Sequence, residues 1–183
     1  MAVQREPKPV FDRIPPQNIE AEQAVLGSML LNRDAVGGAI EILHEDATDV
    51  FYVEAHQHIY SAIIRLFRKA LPIDEITLTD QLRSDGHYES VGGGAYLGEL
   101  TAAVPTSANV EYYARIVLNA SVLRRLITAC TLIAGEAYQA EGDSNELLDM
   151  AENRIFAIAQ TRQMNPITPI GDLERMTQYK DKA

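Results

Sequence analysis

Hydrophobic positions recur at helical spacing, with no intervening proline, from Val110 to about Ala140. Asn109 stands just before this run, where its side chain can accept hydrogen bonds from the free N–H groups of a first helical turn. The pattern predicts a single helix roughly 45 Å long, at ~1.5 Å per residue. We interpret this helix as the element around which the rest of the chain is organised.

Two apolar stripes run along the predicted helix when its residues are plotted at about 100° each. The first, called here the inner stripe, consists of Ile116, Ala120, Leu123, Ile127, Cys130, Ala134 and Tyr138. The second stripe lies beside it and consists of Leu118, Val122, Leu126, Ala129 and Ile133. Together they cover about 200° of the helix surface, whereas a helix that packs on one core usually shows about 100°. The long helix is therefore predicted to have two neighbours.

The first predicted neighbour is a helix that returns along the long one. Residues 141–145 contain a glycine suited to end a helix, and an aspartate and a serine suited to start another. Apolar residues then recur up to about Gln160, namely Leu148, Met150 or Ala151, Ile155 and Ile158. This pattern predicts a helical hairpin over residues 105–162, with the inner stripe packed against the returning helix. The second stripe then rests either on residues upstream or on another chain.

Shorter helical patterns fill residues 14–104. The predicted helices begin after Asn18, near Asp34, after Tyr52, at Thr77 or Thr79, and after the glycine turn at residues 92–94. No segment alternates convincingly, since residues 71–78, the most strand-like run, contain a proline and charged residues. The predicted fold class is therefore all-α, with a compact helical head at 14–104 followed by a long helical hairpin.

The two ends of the chain are predicted to lie outside these units. Residues 1–13, which contain two prolines, are expected to form a flexible N-terminal arm. Residues 163–183 are interpreted as a linker in which Asp172 can cap the start of a last helix bearing Leu173 and Met176. Such a short helix is marginal in isolation and needs a docking surface.

Composition narrows the classes of function. The sequence contains no uncharged run of 18 residues, the length needed to span a membrane. The first nine residues also lack the apolar region of a signal peptide, so we expect a cytoplasmic protein. Sixteen Lys and Arg against 26 Asp and Glu give a net charge of -10, which disfavours strong DNA binding. The single cysteine, Cys130, excludes a disulfide framework and is expected to be a small buried residue.

The residues offer no recognisable catalytic site. A phosphate-binding loop needs a glycine-rich run that ends in Gly-Lys-Ser or Gly-Lys-Thr, and the glycines at 92–94 are not followed by lysine. His56 and His58 lie two apart on a predicted helix, so they point about 200° from each other and cannot share a metal. We therefore expect no catalytic residue, cofactor or metal in this chain. Arg124 and Arg125 either contact an acidic partner or are solvated.

Several groups of residues form a pattern in order along the chain. It opens with RIPPQNIEAEQAVLG at residues 13–27. It continues through Phe51-Tyr52 with His56, Ile59-Tyr60, Pro72-Ile73-Asp74 with Thr77-Leu78, Gly92-Gly93, Tyr96-Leu97, Leu100, Val104-Pro105-Thr106, Asn109, Tyr113-Ala114, Ile116-Val117 and Arg124-Arg125-Leu126-Ile127. Over residues 13–162 this pattern resembles the amino-terminal domain of the bacterial replicative helicases of the DnaB type. One departure is Ala70, where that family usually has glycine.

The resemblance implies a parent protein that is a ring-shaped, ATP-driven helicase, unwinding DNA at the replication fork. Its motor, which uses ATP and Mg²⁺, is absent from these 183 residues. The amino-terminal domains of the family form a collar, a trimer of dimers paired through the hairpins, which receives the carboxy-terminal domain of primase. A helicase loader is a further implied partner. This chain is then expected to be an assembly and docking module, with weak or no DNA binding and no contact with a membrane.

The resemblance also suggests which residues contact partners. Those assigned to primase or to a neighbouring subunit are Tyr96, Val122, Leu126, Ile127 and Ile133, and those assigned to docking of the linker helix are Ile170, Leu173 and Met176. The second stripe supports Ile133, whereas Ile127 is also explained as hairpin core and Tyr96 as packing on the head. Two other hypotheses are a free-standing helical regulator derived from such a helicase and an unrecognised small helical enzyme.

Overall fold

The structure, a computed structural model, describes residues 14–45, 48–139 and 144–164, with side chains up to residue 160. Within these ranges it contains α-helices and two short 3-10 turns, with no β-strand, so the predicted all-α class is confirmed. The helices are α1 (Ile19–Leu31), α2 (Arg33–Leu43), α3 (Glu54–Arg68), α4 (Glu75–Ser84), α5 (Gly93–Ala102), α6 (Val110–Gln139) and α7 (Ser144–Met164), and the 3-10 turns are Thr48–Val50 and Ser107–Asn109.

Helix α1 lies at the centre of the head, in contact with α2, α3, α5 and α6. Its predicted start is confirmed, because the Asn18 side chain accepts a hydrogen bond of 2.9 Å from the N–H of Ala21. Gly27 allows α1 to approach α5 closely, since a Cβ there would stand 2.1 Å from the carbonyl oxygen of Leu100. Apolar side chains are buried on several sides of α1, as expected of a helix enclosed by others.

Helix α4 begins earlier than the sequence pattern predicts. Its N-cap is Asp74, which accepts hydrogen bonds from the N–H groups of Thr77, at 2.9 Å, and Ile76, at 3.0 Å. The Thr77 hydroxyl lies 3.1 Å from the N–H of Asp74 and accepts from it, which completes a capping box. The predicted starts at Thr77 or Thr79 are therefore wrong, because Thr77 is the third helical residue and not the cap. These hydrogen bonds, that from the Thr77 N–H foremost, hold the pKa of Asp74 below its usual value.

The turn between α3 and α4 accommodates the residue that departs from the family pattern. Ala70 takes a left-handed conformation with φ of 54°, one that a residue with a Cβ seldom adopts. Its own N–H donates to the carbonyl of Phe67, and the N–H of Leu71 donates to that of Leu66, each at 3.0 Å. This is the hydrogen-bond pattern with which glycine commonly ends a helix.

Helix α6 has 30 residues and joins the head to the hairpin. The predicted cap, Asn109, instead ends the preceding 3-10 turn, which is capped by the Thr106 hydroxyl at 3.2 Å from the N–H of Ala108. In the first half of α6, Ala114, Val117 and Leu118 are buried in the head core. By length and composition alone, residues 107–139 could cross a membrane, but this half of the helix uses its apolar side chains to pack on α1 and α2.

The returning helix α7 packs against a different side of α6 from the one predicted. The groove between α6 and α7 is lined by Ser121, Thr128 and Leu132 of α6 and by Ala157 and Ile158 of α7. Arg154 of α7 also lies 3.1 Å from the Glu136 carboxylate of α6. Small side chains on this side of α6 let the two helices approach. The prediction that the inner stripe faces α7 is wrong.

The inner stripe is instead exposed beyond the head. Ile116 and Ala120 are partly or fully buried, but Leu123 and Ile127 are 42% and 45% exposed and Tyr138 is 93% exposed. Cys130, predicted to be buried, is also exposed, because the face of α6 that carries it contacts no other described element. The second stripe divides: Leu118 and Val122 rest on the head core, Ala129 is buried beside the groove between α6 and α7, and Leu126 is 38% exposed. The predicted contact with the head therefore holds for the first part of the stripe, Ala129 was wrongly expected to lie away from α7, and contact of Leu126 with another chain stays a prediction.

Candidate protein-docking surfaces on the hairpin

Two arginines fix the root of the hairpin to the head. Arg124 donates from Nη1 to the carbonyl oxygen of Pro16, at 2.8 Å, and from Nη2 to that of Val50. Partial burial lowers the pKa of Arg124 below its ordinary value, although the carboxylates of Glu22 and Asp49 oppose this effect. Arg125 pairs with Asp49 at 2.8 Å. Neither arginine is therefore a free contact for an acidic partner, because both bind residues of the head.

Beyond this root, α6 presents an exposed apolar surface on the side turned away from α7. It consists of Leu123, Leu126, Ile127, Cys130 and Ala134, which we call the α6 face. The ten residues from 126 to 135 include no charged side chain. Isolated exposed leucines are ordinary, but a contiguous apolar patch on a soluble domain is typical of a protein contact. The α6 face is therefore the first candidate docking surface.

Helix α7 presents a second apolar surface. Its residues Leu147, Met150, Ala151, Arg154 and Ile158 are partly buried. Leu148, Ile155 and Phe156, in contrast, are 59%, 40% and 62% exposed, although Leu148 and Ile155 were predicted to pack inward. Together with Ala151, Glu152, Asn153 and Ala159 these three line a shallow, mostly apolar groove of about 620 Å³, which we call the α7 face. Side chains from about three successive turns of one helix form this groove.

A buried chain of hydrogen bonds links three helices of the head. The Glu22 carboxylate on α1 lies 2.7 Å from Nδ1 of His56 on α3, and Nε2 of His56 lies 2.6 Å from the Tyr96 hydroxyl on α5. The amide nitrogen of Gln23 donates to the same hydroxyl at 3.2 Å. A carboxylate only accepts hydrogen bonds, so Nδ1 of His56 donates to Glu22, and the Tyr96 hydroxyl is the partner of Nε2. Every group in the chain is then satisfied.

The predicted partner residues fall in three different environments. Leu126 and Ile127 belong to the α6 face, and Ile133 is partly exposed farther along the same helix. Val122 packs against the head core. Tyr96 lies on the head in the hydrogen-bonded chain just described. The predicted linker residues Ile170, Leu173 and Met176 lie outside the described part of the chain. Sequence reasoning missed Phe156, for which the only signal was a hydrophobic residue beside the predicted α7 stripe, and it placed the exposed Leu148 on the inward side of α7.

The described residues contain no cluster of three or more His, Cys, Asp or Glu side chains placed to hold a metal ion. His58 does meet another histidine, His87, but the two rings stack with centroids 3.7 Å apart and planes 14° apart. Stacked rings direct their nitrogen lone pairs outward and not toward a common point.

Comparison with known proteins defines the class. Residues 14–119 match the family model of the DnaB-like helicase N terminal domain, which is more than half of the 183 residues. The chain belongs to this family, as the sequence resemblance predicted. The match ends where the head core ends, since the last residues of that core are Val117 and Leu118 on α6.

Individual relatives are replicative helicases. The DnaB helicase of Geobacillus stearothermophilus is 46% identical over 162 residues, which are 88% of this chain and 35% of that protein. The replicative helicase DnaC of Bacillus subtilis is 44% identical over 162 residues, with the same two coverages of 88% and 35%. This chain thus spans about a third of the length of these relatives.

Solved structures agree with the fold. The N-terminal domain of the DnaB helicase from Mycobacterium tuberculosis superposes with a TM-score of 0.74 at 39% identity, covering 79% of this chain and 99% of that one. A DnaB-like replicative helicase, described with its interactions with primase, superposes with a TM-score of 0.65 over 90% of this chain and 36% of its own. At 23% identity the second likeness shows the fold alone.

Proposed function

We propose that this chain is the amino-terminal collar domain of a hexameric, ATP-driven DNA helicase of the replication fork. Its own activity is self-association and docking of primase, and it performs no catalysis. The ATP and Mg²⁺ of the parent bind in a motor that corresponds to the part of the relatives not matched here. The proposal places the protein in the cytoplasm, with a helicase loader as a further partner. The observation that carries it is the exposed apolar surface of a hairpin whose root is bonded to a head of this family through Arg124 and Arg125.

Self-association uses the α6 face. Two copies of a chain with a net charge of -10 repel each other wherever their carboxylates approach. Residues 126–135 carry no charge, so two α6 faces can meet across a two-fold axis without burying like charges. Leu123, Leu126 and Ile127 then become covered by their counterparts. Three such dimers closing into a ring give the collar.

Docking of primase is supported by the helicase described with its interactions with primase, which has the same fold. In the proposal, the carboxy-terminal domain of primase binds the same hairpin. The arginine contacts at residues 124 and 125 matter here because they hold the hairpin at a fixed angle to the head, so a docked partner is oriented relative to the ring.

The experiment that tests the proposal combines two measurements on this chain. Sedimentation velocity over a range of concentrations is expected to show a monomer–dimer equilibrium. Calorimetric titration with the primase carboxy-terminal domain from the same source is expected to show saturable binding with a fitted stoichiometry. A monomer at every concentration would contradict self-association through this chain, and the absence of binding heat at several temperatures would contradict primase docking.

A further inference from the structure

Three arginines line the groove between α6 and α7 at the root of the hairpin, which we call the root groove. Arg124 and Arg125 belong to α6, Arg154 belongs to α7, and Asp49 of the head is the one carboxylate among the described residues that line it. The whole chain has a net charge of -10. The root groove is therefore a positively charged region on an acidic chain, and it attracts anions that the rest of the molecule repels.

The positive charge of Arg124 has no ion-pair partner among the described residues. Its Nη1 and Nη2 atoms donate to two backbone carbonyl oxygens of the head, which are neutral. Partial burial lowers the pKa of Arg124, an effect that the carboxylates of Glu22 and Asp49 oppose. Those two carboxylates already bind His56 and Arg125, respectively. A partly buried cation whose acceptors are neutral is stabilised by an anion that enters beside it.

Arg125 and Arg154 have hydrogen-bond donors that no described residue accepts from. Arg125 contacts Asp49 through Nη2 alone, at 2.8 and 2.9 Å, and Arg154 contacts Glu136 through Nη2 alone, at 3.1 Å. A guanidinium group has five N–H donors, so Nε and Nη1 of both arginines remain for a ligand. Both carboxylates are well exposed, and exposed ion pairs contribute little to stability, so a more highly charged anion can replace them.

The root groove has the size of a small-molecule site. Its volume is about 660 Å³, within the range of roughly 300–1,000 Å³ that is typical of ligand pockets. Ser121, Thr128 and Leu132 follow one another on the same side of α6 at helical spacing, and Ile158 lies across from them on α7. The groove thus combines charged groups with hydroxyl groups and apolar side chains.

The three arginines favour phosphate over carboxylate. A carboxylate has one charge and two acceptor oxygens, which suffice for one guanidinium, whereas a phosphate group has up to about two charges and three acceptor oxygens. Two linked phosphates can therefore bind arginines on both helices. Beyond the arginines, Leu132 and Ile158 offer apolar surface to a planar ring, and guanidinium groups also stack on such rings.

We propose that the root groove binds a nucleoside diphosphate. The phosphates of this ligand bind Arg125 and Arg154 and lie beside Arg124. The Thr128 hydroxyl donates to a phosphate oxygen, and the base packs on Leu132. The ligand joins α6 to α7, so its binding stabilises the folded chain by mass action. This binding does not depend on contacts with other proteins, so its absence would leave the proposed function unchanged.

The test is calorimetric titration of the full chain with ADP, inorganic pyrophosphate or adenosine, in the absence of Mg²⁺. These 183 residues contain no phosphate-binding loop, so heat of binding cannot come from a nucleotide site of that type. We expect one ADP site per chain, weaker binding of pyrophosphate, which lacks the base, and no binding of adenosine, which lacks the phosphates. ADP is also expected to raise the midpoint of thermal unfolding.

Substitution of arginines locates the site. Arg125→Gln with Arg154→Gln removes two charges from the root groove, and Arg83→Gln with Arg115→Gln removes the same charge from other parts of α4 and α6. We expect the groove pair to weaken ADP binding about tenfold and the control pair to weaken it less than about threefold.

A matched pair of threonines provides a test that leaves the charge unchanged. Thr128→Val removes a hydroxyl that lines the root groove, and Thr131→Val removes one that donates to the Ile127 carbonyl within α6. We expect only the first change to weaken ADP binding, by about threefold. Circular dichroism is expected to show an unchanged helix content in all of these variants, which separates a loss of binding from a loss of folding.

Several results would overturn the proposal. The first is the absence of ADP binding by the unaltered chain at several temperatures. The second is equal weakening by the groove pair and the control pair, which would show a general effect of charge. The third is unchanged binding in both the groove pair and Thr128→Val. Adenosine binding as tight as that of ADP would overturn the role of the arginines, and pyrophosphate binding as tight as that of ADP would overturn the choice of a nucleoside ligand.

Discussion

The Glu22 carboxylate lies 2.7 Å from Nδ1 of His56, and both side chains are almost completely buried although 34 residues separate them. The same carboxylate accepts hydrogen bonds from the backbone N–H groups of Tyr52, at 2.6 Å, and Val53, at 3.3 Å. Val53 is the N-cap of α3 and offers no side-chain hydrogen bond of its own. Glu22 therefore caps α3 from a neighbouring helix, at the end where the helix dipole favours negative charge.

Glu22→Ala is expected to lower the free energy of unfolding by roughly 2–4 kcal/mol, because it leaves the buried donors of His56 and Tyr52 without acceptors. The measurement is urea unfolding followed by circular dichroism. Glu20→Ala, which removes an exposed carboxylate two residues away, is the control and is expected to cost about 0.5 kcal/mol or less. Equal losses for the two variants would contradict the capping role of Glu22.

Asp74 gives the head a predictable response to acid. Hydrogen bonds from Thr77 and Ile76 depress the pKa of Asp74 in the folded chain, so the ionised cap stabilises α4 above the unfolded pKa. This contribution is lost as the pH falls through the folded pKa. Asp74→Asn keeps an acceptor but removes the charge. The unaltered chain is expected to exceed the variant in stability by about 0.5 kcal/mol at neutral pH, and the difference is expected to decrease as the pH falls through the folded pKa of Asp74.

The measurement is the unfolding midpoint of the unaltered chain and of Asp74→Asn, determined in parallel between pH 7 and pH 3. A difference that stays constant over the whole range would show that the charge of Asp74 does not contribute. Asp74→Ala removes the acceptor as well and is expected to cost about 1 kcal/mol at neutral pH.

Helical periodicity in the sequence predicted the helices of the head and the hairpin, because burial along one side of a helix leaves a pattern at 3.6 residues. It did not predict which stripe of α6 faces α7. Both stripes are apolar, and the side that α7 contacts contains Ser121 and Thr128, whose small size favours close packing but leaves no apolar signal. A surface reserved for another chain has the same composition as a core, so Leu123 and Ile127 were expected to be covered within the monomer.

Helical periodicity also could not predict the hydrogen-bonded chain from Glu22 through His56 to Tyr96, because its members are 34 and 40 positions apart in the sequence. Each of the three belongs to a group of residues that carries the family resemblance. That coincidence was the available signal, and only the folded structure shows that the groups meet.

Ala70→Gly is expected to raise the free energy of unfolding by roughly 0.5–1 kcal/mol, because glycine takes the left-handed conformation at φ of 54° without the Cβ strain of alanine. The gain is partly offset by the greater backbone freedom of glycine in the unfolded chain. Thermal unfolding by calorimetry measures it. An unchanged or lower midpoint would show that the turn after α3 is not strained at this position.

Arg124→Lys is expected to destabilise the chain by about 1–2 kcal/mol, because one ammonium group cannot reproduce the guanidinium contacts with the carbonyls of Pro16 and Val50. Arg125→Lys is the matched control. Its partner Asp49 is largely exposed, so the change is expected to cost about 0.5 kcal/mol or less. Urea unfolding gives both values, and a larger loss for Arg125→Lys would reverse the roles assigned to the two arginines.

Leu126→Gln with Ile127→Gln is expected to weaken self-association at least tenfold while leaving the helix content unchanged. Both side chains are exposed in the monomer, at 38% and 45%, so polar replacements remove apolar contact area from a dimer without opening the head core. Sedimentation velocity measures the dimer and circular dichroism the helix. Ile76→Gln, which alters an even more exposed isoleucine on α4, is expected to leave the dimer unchanged.

The double variant of Leu126 and Ile127 also shows whether these side chains lie on the surface or in the core of the monomer. If α6 lost helicity in the Leu126 and Ile127 variant, these residues would be packed within the monomer, and the face that contains them could not serve a second copy. If the dimer persisted with full helicity, self-association would use another part of the chain. Weakening by the α6 change, with no effect of Ile76→Gln, would localise the contact to the α6 face, because a general effect of surface hydrophobicity predicts a larger loss at the more exposed residue.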